Sequence, residues 1–117
     1  MSLMVVICIS LGGAAGALAR ALAGRLIQTD FPLATLIVNT IGSFLLAMAY
    51  TGLDTDSILL RSLIGAGFCG AFTTYSTFIL ETVILFRSAQ KRQAIFYAIS
   101  TIGLCCLASW LGIHWFA

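Results

Sequence analysis

The middle of the third apolar segment, residues 65–78, reads GAGFCGAFTTYSTF. Glycines weaken a helix, and threonine and serine side chains compete for backbone hydrogen bonds, so this stretch is a poor uninterrupted membrane helix. We therefore predict a break in the third helix. Backbone groups freed at that depth must face protein, ions or water rather than lipid, so the break predicts a polar site inside the membrane.

The composition indicates that this stretch lies in a membrane. The chain has 117 residues, of which 61% are hydrophobic and only 9% are charged, and a soluble domain of this size needs a larger charged shell. A run of roughly 20 apolar residues crosses the hydrocarbon core of a bilayer. We predict an all-α membrane protein that is one domain over residues 1–117, with spans at about 3–27, 33–53, 58–86 and 94–116.

Turn residues and charges separate the predicted spans. Pro32 suits the first turn of the second helix, and Asp54-Thr55-Asp56-Ser57 forms a loop that can cap the third. Positive charges gather around the first and third loops, whereas the opposite side holds Arg61. The positive-inside rule then places those two loops in the cytoplasm and both termini outside. The positive residues of the two loops and their flanks are Arg20, Arg25, Arg87, Lys91 and Arg92.

Several function classes find no support in the sequence. No basic stretch is interleaved with aromatic residues, and no glycine-rich loop follows a strand, so we expect no nucleic acid and no nucleotide to bind. The single histidine, His114, has no acid or nucleophile near it in sequence, so we do not expect an enzyme. The four cysteines fall in apolar segments at spacings that match no metal site, and are interpreted as packing residues: Cys8, Cys69, Cys105 and Cys106.

Arg20 is the first residue that suggests a function. It shares a stripe with Gly12, Gly16 and Gly24 on the first span, where small residues allow close helix packing. An arginine inside a span is unfavourable unless its side chain snorkels to the interface or faces a polar cavity. In the second case it would concentrate anions at the mouth of a pore. The sequence leaves both explanations open.

Asn39, in the second span, and the aromatic residues after the predicted break are the next candidates. The NH₂ group of Asn39 can donate to an anion or to a neighbouring helix, and both explanations stay open. Tyr75 and Phe78 share a face if the helix resumes after the break. Their ring edges carry partial positive charge and attract a passing anion, although packing is an equally ordinary role for such a pair.

Hydroxyl groups and one carboxyl group are the remaining polar candidates for a functional role in the third span. The hydroxyls of Thr73, Thr74, Ser76 and Thr77 can replace the water shell of an ion, or bond to backbone carbonyls instead. Glu81, just beyond them, is the only acid near a membrane segment. It can pair with an arginine.

Three stretches of the chain resemble the Fluc (CrcB-type) fluoride channels. They read GGAAGALAR at residues 12–20, PLATLIVN at residues 32–39 and GFCGAFTTYSTF at residues 67–78. The third stretch is highly specific, and the four-span layout matches over the whole chain. The resemblance implies a multi-pass protein of the inner (plasma) membrane that passively exports fluoride from the cytoplasm and relieves fluoride toxicity. It also implies an antiparallel dimer of four-helix subunits with two pores in the lipid bilayer.

The resemblance assigns roles to individual residues. Tyr75 and Phe78 would stand at two phenylalanine sites whose ring edges meet fluoride, and Asn39 would be the pore amide. Gly70 and Thr73 would offer backbone carbonyls to a structural sodium ion at the dimer centre. The residues similar to the polar groups flanking the pore are Thr35, Ser76, Thr77, Tyr97 and Thr101, with Arg20 in the vestibule.

Tyr75 departs from the pattern, because a phenylalanine occupies its position in the family. Tyrosine keeps the positive ring edge but adds a hydroxyl that can donate to fluoride or hold it too tightly. We predict that conduction survives with an altered rate.

The sequence leaves alternatives to a homodimeric channel open. A small multidrug-resistance-type transporter, also an antiparallel dimer with four spans, needs an acid in its first span, and residues 1–27 contain none. A heterodimeric fluoride channel pairs two paralogous subunits of fixed orientation, and the uneven positive charge favours that arrangement. The nearly complete motifs favour a homodimer. A scaffold without transport would not require Asn39 or the threonine-rich break.

Overall fold

The protein is built from four membrane-length helical spans. The computed structural model describes residues 2–51 and 57–115, and every regular element within them is helical. The prediction of an all-helical protein with four helices long and apolar enough to cross a membrane is confirmed. The predicted ends at residues 52–53 and 116 and the loop residues 54–56 lie outside the described residues. The spans are Leu3–Leu26, Leu33–Thr51, Ile58–Arg87 and Lys91–His114.

The third span is divided into four helical pieces, and its main interruption falls at two threonines. Thr73 and Thr74 have extended backbones, with φ −83°, ψ 156° and φ −149°, ψ 125° respectively. The predicted break is therefore present, but it follows the glycines rather than coinciding with them. In chain order the helices are α1 (Leu3–Leu26), α2 (Leu33–Thr51), α3 (Ile58–Arg61), the π-helical segment Ser62–Cys69, α4 (Gly70–Phe72), α5 (Tyr75–Arg87) and α6 (Lys91–His114).

The π-helical segment packs directly against the glycine stripe of α1. A Cβ atom added to Gly12 would collide with the carbonyl of Leu63, and one added to Gly16 would collide with the carbonyl of Phe68. Gly24 differs, because a Cβ atom there would meet nothing within 4 Å. The first two glycines of the stripe thus allow two backbones to touch, as small residues do between membrane helices. Gly24 has no such role within the subunit.

Hydroxyl caps define where the helices begin. Ser2 accepts from the N–H of Val5 at the start of α1, and Ser57 accepts from the N–H of Leu60 at the start of α3. Thr74 does the same for Thr77 at the start of α5, at 3.2 Å. A cap satisfies one of the N–H groups that a helix start leaves without a partner. Ser57 therefore fulfils the capping role expected of its loop.

The core lies between α2, α5 and α6. The side chain of Tyr97 is 0% exposed, and Phe78 is 7% exposed. Many large apolar side chains face outward instead, as expected of a chain whose surroundings are lipid or a second subunit. The buried core residues are Leu36, Phe78, Leu85, Ala94 and Tyr97.

Candidate functional site

Two cavities lie on either side of the break in the third span. The larger, called the vestibule here, has a volume of about 760 Å³ and is lined by Arg20, Thr35, Thr77 and Glu81, among others. The smaller, called the aromatic groove, has a volume of about 290 Å³ and runs past the break along α2 and α6. Thr74 lines both cavities. The groove is also lined by Asn39, Ser43, Thr73, Tyr75, Phe78 and Thr101.

Asn39 bonds to the break itself. Its Nδ2 donates to the carbonyl of Thr74 at 2.9 Å, and its Oδ1 accepts from the N–H of Thr74 at 2.8 Å. The side chain is buried, with 8% of its surface exposed. Of the two explanations for Asn39, the structure therefore gives the bond to a neighbouring helix. One amide satisfies both backbone groups of an extended residue that would otherwise be without partners in the membrane.

The break deprives the backbone carbonyls of Gly70 and Thr73 of their usual helical partners. In a continuous helix the carbonyl of Gly70 would accept from the N–H of Thr74, but that N–H donates to Asn39. The carbonyl of Thr73 would accept from the N–H of Thr77, but that N–H donates to the hydroxyl of Thr74. Neither carbonyl therefore receives the N–H that a continuous helix would give it. No group of three or more His, Cys, Asp or Glu within residues 2–51 and 57–115 is placed to hold a metal.

Glu81 joins the vestibule to the core. Its Oε1 accepts from the hydroxyl of Thr35 at 2.5 Å and from the hydroxyl of Tyr97 at 3.3 Å. The sequence suggested an arginine partner, but the structure gives the carboxylate two hydroxyl donors on α2 and α6. A charged group inside a span needs such partners, because leaving it bare in a low-dielectric region is unfavourable. The protons of Thr35 and Tyr97 are thereby committed to Glu81.

The aromatic pair of α5 consists of one buried and one exposed ring. Tyr75 is 76% exposed and Phe78 is 7% exposed, and their ring centroids lie 6.2 Å apart. Phe78 also packs on Tyr97, with centroids 5.3 Å apart and the rings tilted by 56°. The core holds Phe78 in place, while Tyr75 extends from the subunit along the groove. Packing within the subunit therefore fixes the position of Phe78 but not that of Tyr75.

The hydroxyls around the groove differ in what they have left to offer an ion. Thr73 Oγ1 donates to the carbonyl of Cys69 at 2.8 Å, and Ser76 is exposed with its Oγ 3.5 Å from that of Thr74. Thr101 is 4% exposed, and its Oγ1 is buried without a hydrogen-bond partner among the described residues. Because buried hydroxyls normally find partners, Thr101 brings a buried, unused donor to the groove.

Arg20 faces the vestibule. It is half-buried and lines this cavity together with Asp30 and Glu81. Of the two explanations for this arginine, the cavity-facing one agrees with the structure. The vestibule is therefore of mixed charge, with one guanidinium and two carboxyl groups.

The structure groups most of the predicted site residues around these two cavities. Arg20, Thr35 and Thr77 line the vestibule, while the aromatic groove receives Asn39, Thr73, Tyr75, Phe78 and Thr101. Tyr97 lies behind them in the core, where it contacts Glu81 and Phe78. Ser76 and Gly70 are exposed and are not among the residues that line either cavity.

Sequence reasoning missed two roles. The backbone of Thr74 is the partner of Asn39, and Glu81 is the acceptor that joins Thr35 to Tyr97. A signal existed for Glu81, since a lone acid in an apolar span must find donors. Nothing in the sequence alone indicated which residue would meet Asn39.

Comparison with known proteins gives a consistent result. The family described as "CrcB-like protein, Camphor Resistance (CrcB)" matches residues 7–113. A protein of Rhodococcus jostii named fluoride-specific ion channel FluC 2 is 37% identical over 113 residues, covering 95% of this chain and 97% of that protein. Two proteins named fluoride-specific ion channel FluC are also similar. That of Saccharophagus degradans is 41% identical, over 88% of this chain and 82% of its own length. That of Acidobacterium capsulatum is 42% identical, over 90% of each chain. The chain therefore belongs to the CrcB-like family.

Proposed function

We propose that this chain is a subunit of a fluoride-selective passive channel, a multi-pass protein of the inner (plasma) membrane that exports fluoride from the cytoplasm. The observation that carries the proposal is the aromatic groove, where ring edges, a broken helix and the unused hydroxyl of Thr101 meet. The proposal is supported by the relatives, which are named fluoride-specific ion channels. Neutral HF enters a cell and dissociates in the more alkaline cytoplasm, so the trapped anion needs a selective exit.

Fluoride is small and strongly hydrated, so donors and positive ring edges must replace its water along the whole path. Arg20 offers an entering anion a local positive charge in the vestibule, beside the carboxyl groups of Asp30 and Glu81. Beyond it, the ion competes with Glu81 for the protons of Thr35 and Tyr97, with Thr77 beside them. In the groove, Thr101 donates and the edges of Tyr75 and Phe78 provide weak, polarised contact. Several weak sites in series let the ion leave as readily as it enters.

The working channel is an antiparallel dimer with two pores. Tyr75 is 76% exposed although it lines the groove, which is open on one side in the single subunit. A second copy would close that side and add its own polar and aromatic groups. The large outward-facing apolar residues of α5 suit a partner helix as well as lipid.

A structural sodium ion at the dimer centre fits the carbonyls that the break releases. Gly70 and Thr73 would offer two oxygens, and the same residues of a second copy would offer two more. Unwound backbone in membrane helices provides sodium ligands of this kind in other transport proteins. The ion would supply positive charge that holds the two breaks together. Asn39 and Thr74 keep the carbonyls free by taking up the competing N–H groups.

Pairing with a paralogous subunit is the second candidate. The uneven positive charge of the loops favours a subunit of fixed orientation. The hydrogen bonds between Asn39 and Thr74, the aromatic pair of α5 and the hydroxyls that line the groove all occur in this one chain, which supports the homodimer. A multidrug-resistance-type transporter is disfavoured, because residues 1–27 hold no acid for proton coupling.

Fluoride efflux from liposomes tests the proposal. The chain is purified alone, reconstituted in liposomes loaded with fluoride, and followed with a fluoride electrode, with chloride as the control ion. Rapid fluoride efflux without chloride efflux supports a self-sufficient homodimer. Efflux that appears only after co-expression with a paralogous chain supports the heterodimer. Folded protein that conducts under neither condition rules out the channel.

A further inference from the structure

A cationic cleft lies where α5 turns into α6, away from the vestibule and the groove. Two cavities of about 320 Å³ and 500 Å³ meet there, and Arg92 and Gln93 line both. Phe31 and Phe96 also line the smaller cavity, with ring centroids 5.9 Å apart, and Lys91 also lines the larger one. We call this surface the basic cleft. It joins a cationic rim to an aromatic wall.

The cations of the basic cleft have no acid among the residues that line it. Arg87, Lys91 and Arg92 fall within six residues, and no Asp or Glu follows Glu81 in the chain. Glu81 itself accepts hydrogen bonds from two hydroxyls inside the bundle. Asp30, in the loop between α1 and α2, lines the vestibule. The cleft therefore suits an anion supplied from outside the chain.

The apolar surface next to the cleft indicates what carries that anion. Phe96 is 64% exposed, and the exposed residues Ile95 and Ile99 extend the same apolar surface along α6. Lys91 Nζ lies 5.2 Å from the centroid of the Phe86 ring, a cation–π contact that keeps the ammonium at the edge of the apolar region. A free phosphate ion would use the cationic rim but not the aromatic wall. A phospholipid uses both.

We propose that the basic cleft binds an anionic glycerophospholipid. Its phosphate lies between Arg92 and Lys91, and its acyl chains follow Phe96 and the exposed face of α6. Basic pockets between membrane helices bind anionic head groups in this way, and in the antiparallel dimer the cleft of one copy would face the cytoplasm. The binding is independent of the ion that the chain conducts.

Lipid titration followed by native mass spectrometry tests this site. The purified chain in detergent is titrated with dioleoylphosphatidylglycerol and, separately, with dioleoylphosphatidylcholine. We expect phosphatidylglycerol to bind more tightly by about fivefold or more, the factor that one or two surface cations give. Arg92→Gln and Lys91→Gln should each remove most of that preference. Phe96→Ala should weaken the binding of both lipids.

Arg25→Gln is the matched control, because it removes the same charge from an exposed residue at the end of α1 outside the basic cleft. It should leave the preference intact, and circular dichroism should show that all variants remain helical. Equal affinity for the two lipids would overturn the proposal, as would an unchanged preference in both Arg92→Gln and Lys91→Gln. An equal loss in Arg25→Gln would replace the site with diffuse surface attraction. Full competition by millimolar inorganic phosphate would identify a free-anion site instead of a lipid site.

Discussion

The amide of Asn39 and the backbone of Thr74 form two reciprocal hydrogen bonds, of 2.9 Å and 2.8 Å, between α2 and the break in the third span. This pair explains how a membrane helix can be interrupted without leaving a bare peptide group. It also takes up the N–H that would otherwise bond to the carbonyl of Gly70. The hydrogen bond from Thr74 to Asn39 therefore leaves the carbonyl of Gly70 without its usual helical donor.

Replacing Asn39 with alanine should loosen the break. We expect the free energy of unfolding to fall by about 1–2 kcal/mol, because two partly buried hydrogen bonds are lost. Fluoride efflux should fall by about tenfold or more, because displacing the groups at the break by an amount that raises the barrier to ion passage by about 1.4 kcal/mol gives that factor. Amide hydrogen exchange over residues 70–80 should become faster in fluoride-free buffer. Ser43→Ala is the control, because Ser43 also lines the groove but its hydroxyl donates to a backbone carbonyl of its own helix, that of Asn39. If exchange stays unchanged in Asn39→Ala while efflux falls, Asn39 acts on the ion and not on the break.

Thr35 and Tyr97 should be energetically coupled through Glu81. Thr35→Val removes the 2.5 Å bond to the carboxylate, and we expect a loss of about 1–3 kcal/mol because the acceptor is charged. Tyr97→Phe removes the weaker bond. Unfolding in mixed detergent micelles, followed by circular dichroism, measures both variants and the double variant. A coupling energy of about 0.5 kcal/mol or more is expected for partners of one acceptor.

Thr40→Val is the control for this cycle, since the hydroxyl of Thr40 donates only to the carbonyl of Leu36 in its own helix. It should change stability far less than Thr35→Val. Strictly additive effects of Thr35→Val and Tyr97→Phe would show that Glu81 does not connect the two residues.

Much of this architecture was predictable from local sequence signals. Apolar run lengths predicted the four spans, and the cluster of glycines and threonines predicted an interrupted third helix. The position of the interruption within that cluster was not predictable, because glycine and threonine both tolerate an irregular backbone. The glycine-rich part stays helical, in π form, where α1 packs against the Leu63 and Phe68 carbonyls, and the Asn39 bonds stabilise the break at Thr74.

The partners of single polar residues were the least predictable feature. Asn39 had two plausible partners in the sequence, and the arginine suggested for Glu81 is not the partner it has, because the choice of partner depends on which helix faces which. That information lies in side-chain packing across helices rather than in spacing along one. The same limit applies to Gly24, which continues the stripe of Gly12 and Gly16 in sequence but where an added Cβ atom would meet nothing within 4 Å.

Gly16 and Gly24 should therefore respond differently to the same substitution. Gly16→Ala places a methyl group against the carbonyl of Phe68, and overpacking of this kind costs about 1–3 kcal/mol. Gly24→Ala meets open space and improves helix propensity, by up to about 1 kcal/mol. Unfolding in mixed micelles compares the two variants with the unaltered chain. Equal destabilisation by both would mean that Gly24 is also in a close contact, one made with a second subunit.

Tyr75 is the sharpest test of the aromatic groove, because its ring is exposed in the single subunit and contributes little to folding. Tyr75→Phe keeps the positive ring edge and removes the hydroxyl, so fluoride efflux should continue at an altered rate. Tyr75→Ala removes the edge as well, and a loss of about 1.4 kcal/mol or more in contact with the passing ion would lower efflux by about tenfold or more.

Leu80→Ala is the control, since Leu80 is also exposed on α5 but is not among the residues that line the groove. Liposome efflux measures all three variants, and stability should change little in Tyr75→Phe and Tyr75→Ala. Unaltered efflux in both would place Tyr75 outside the ion path and leave Phe78 as the only ring edge of this subunit that meets fluoride.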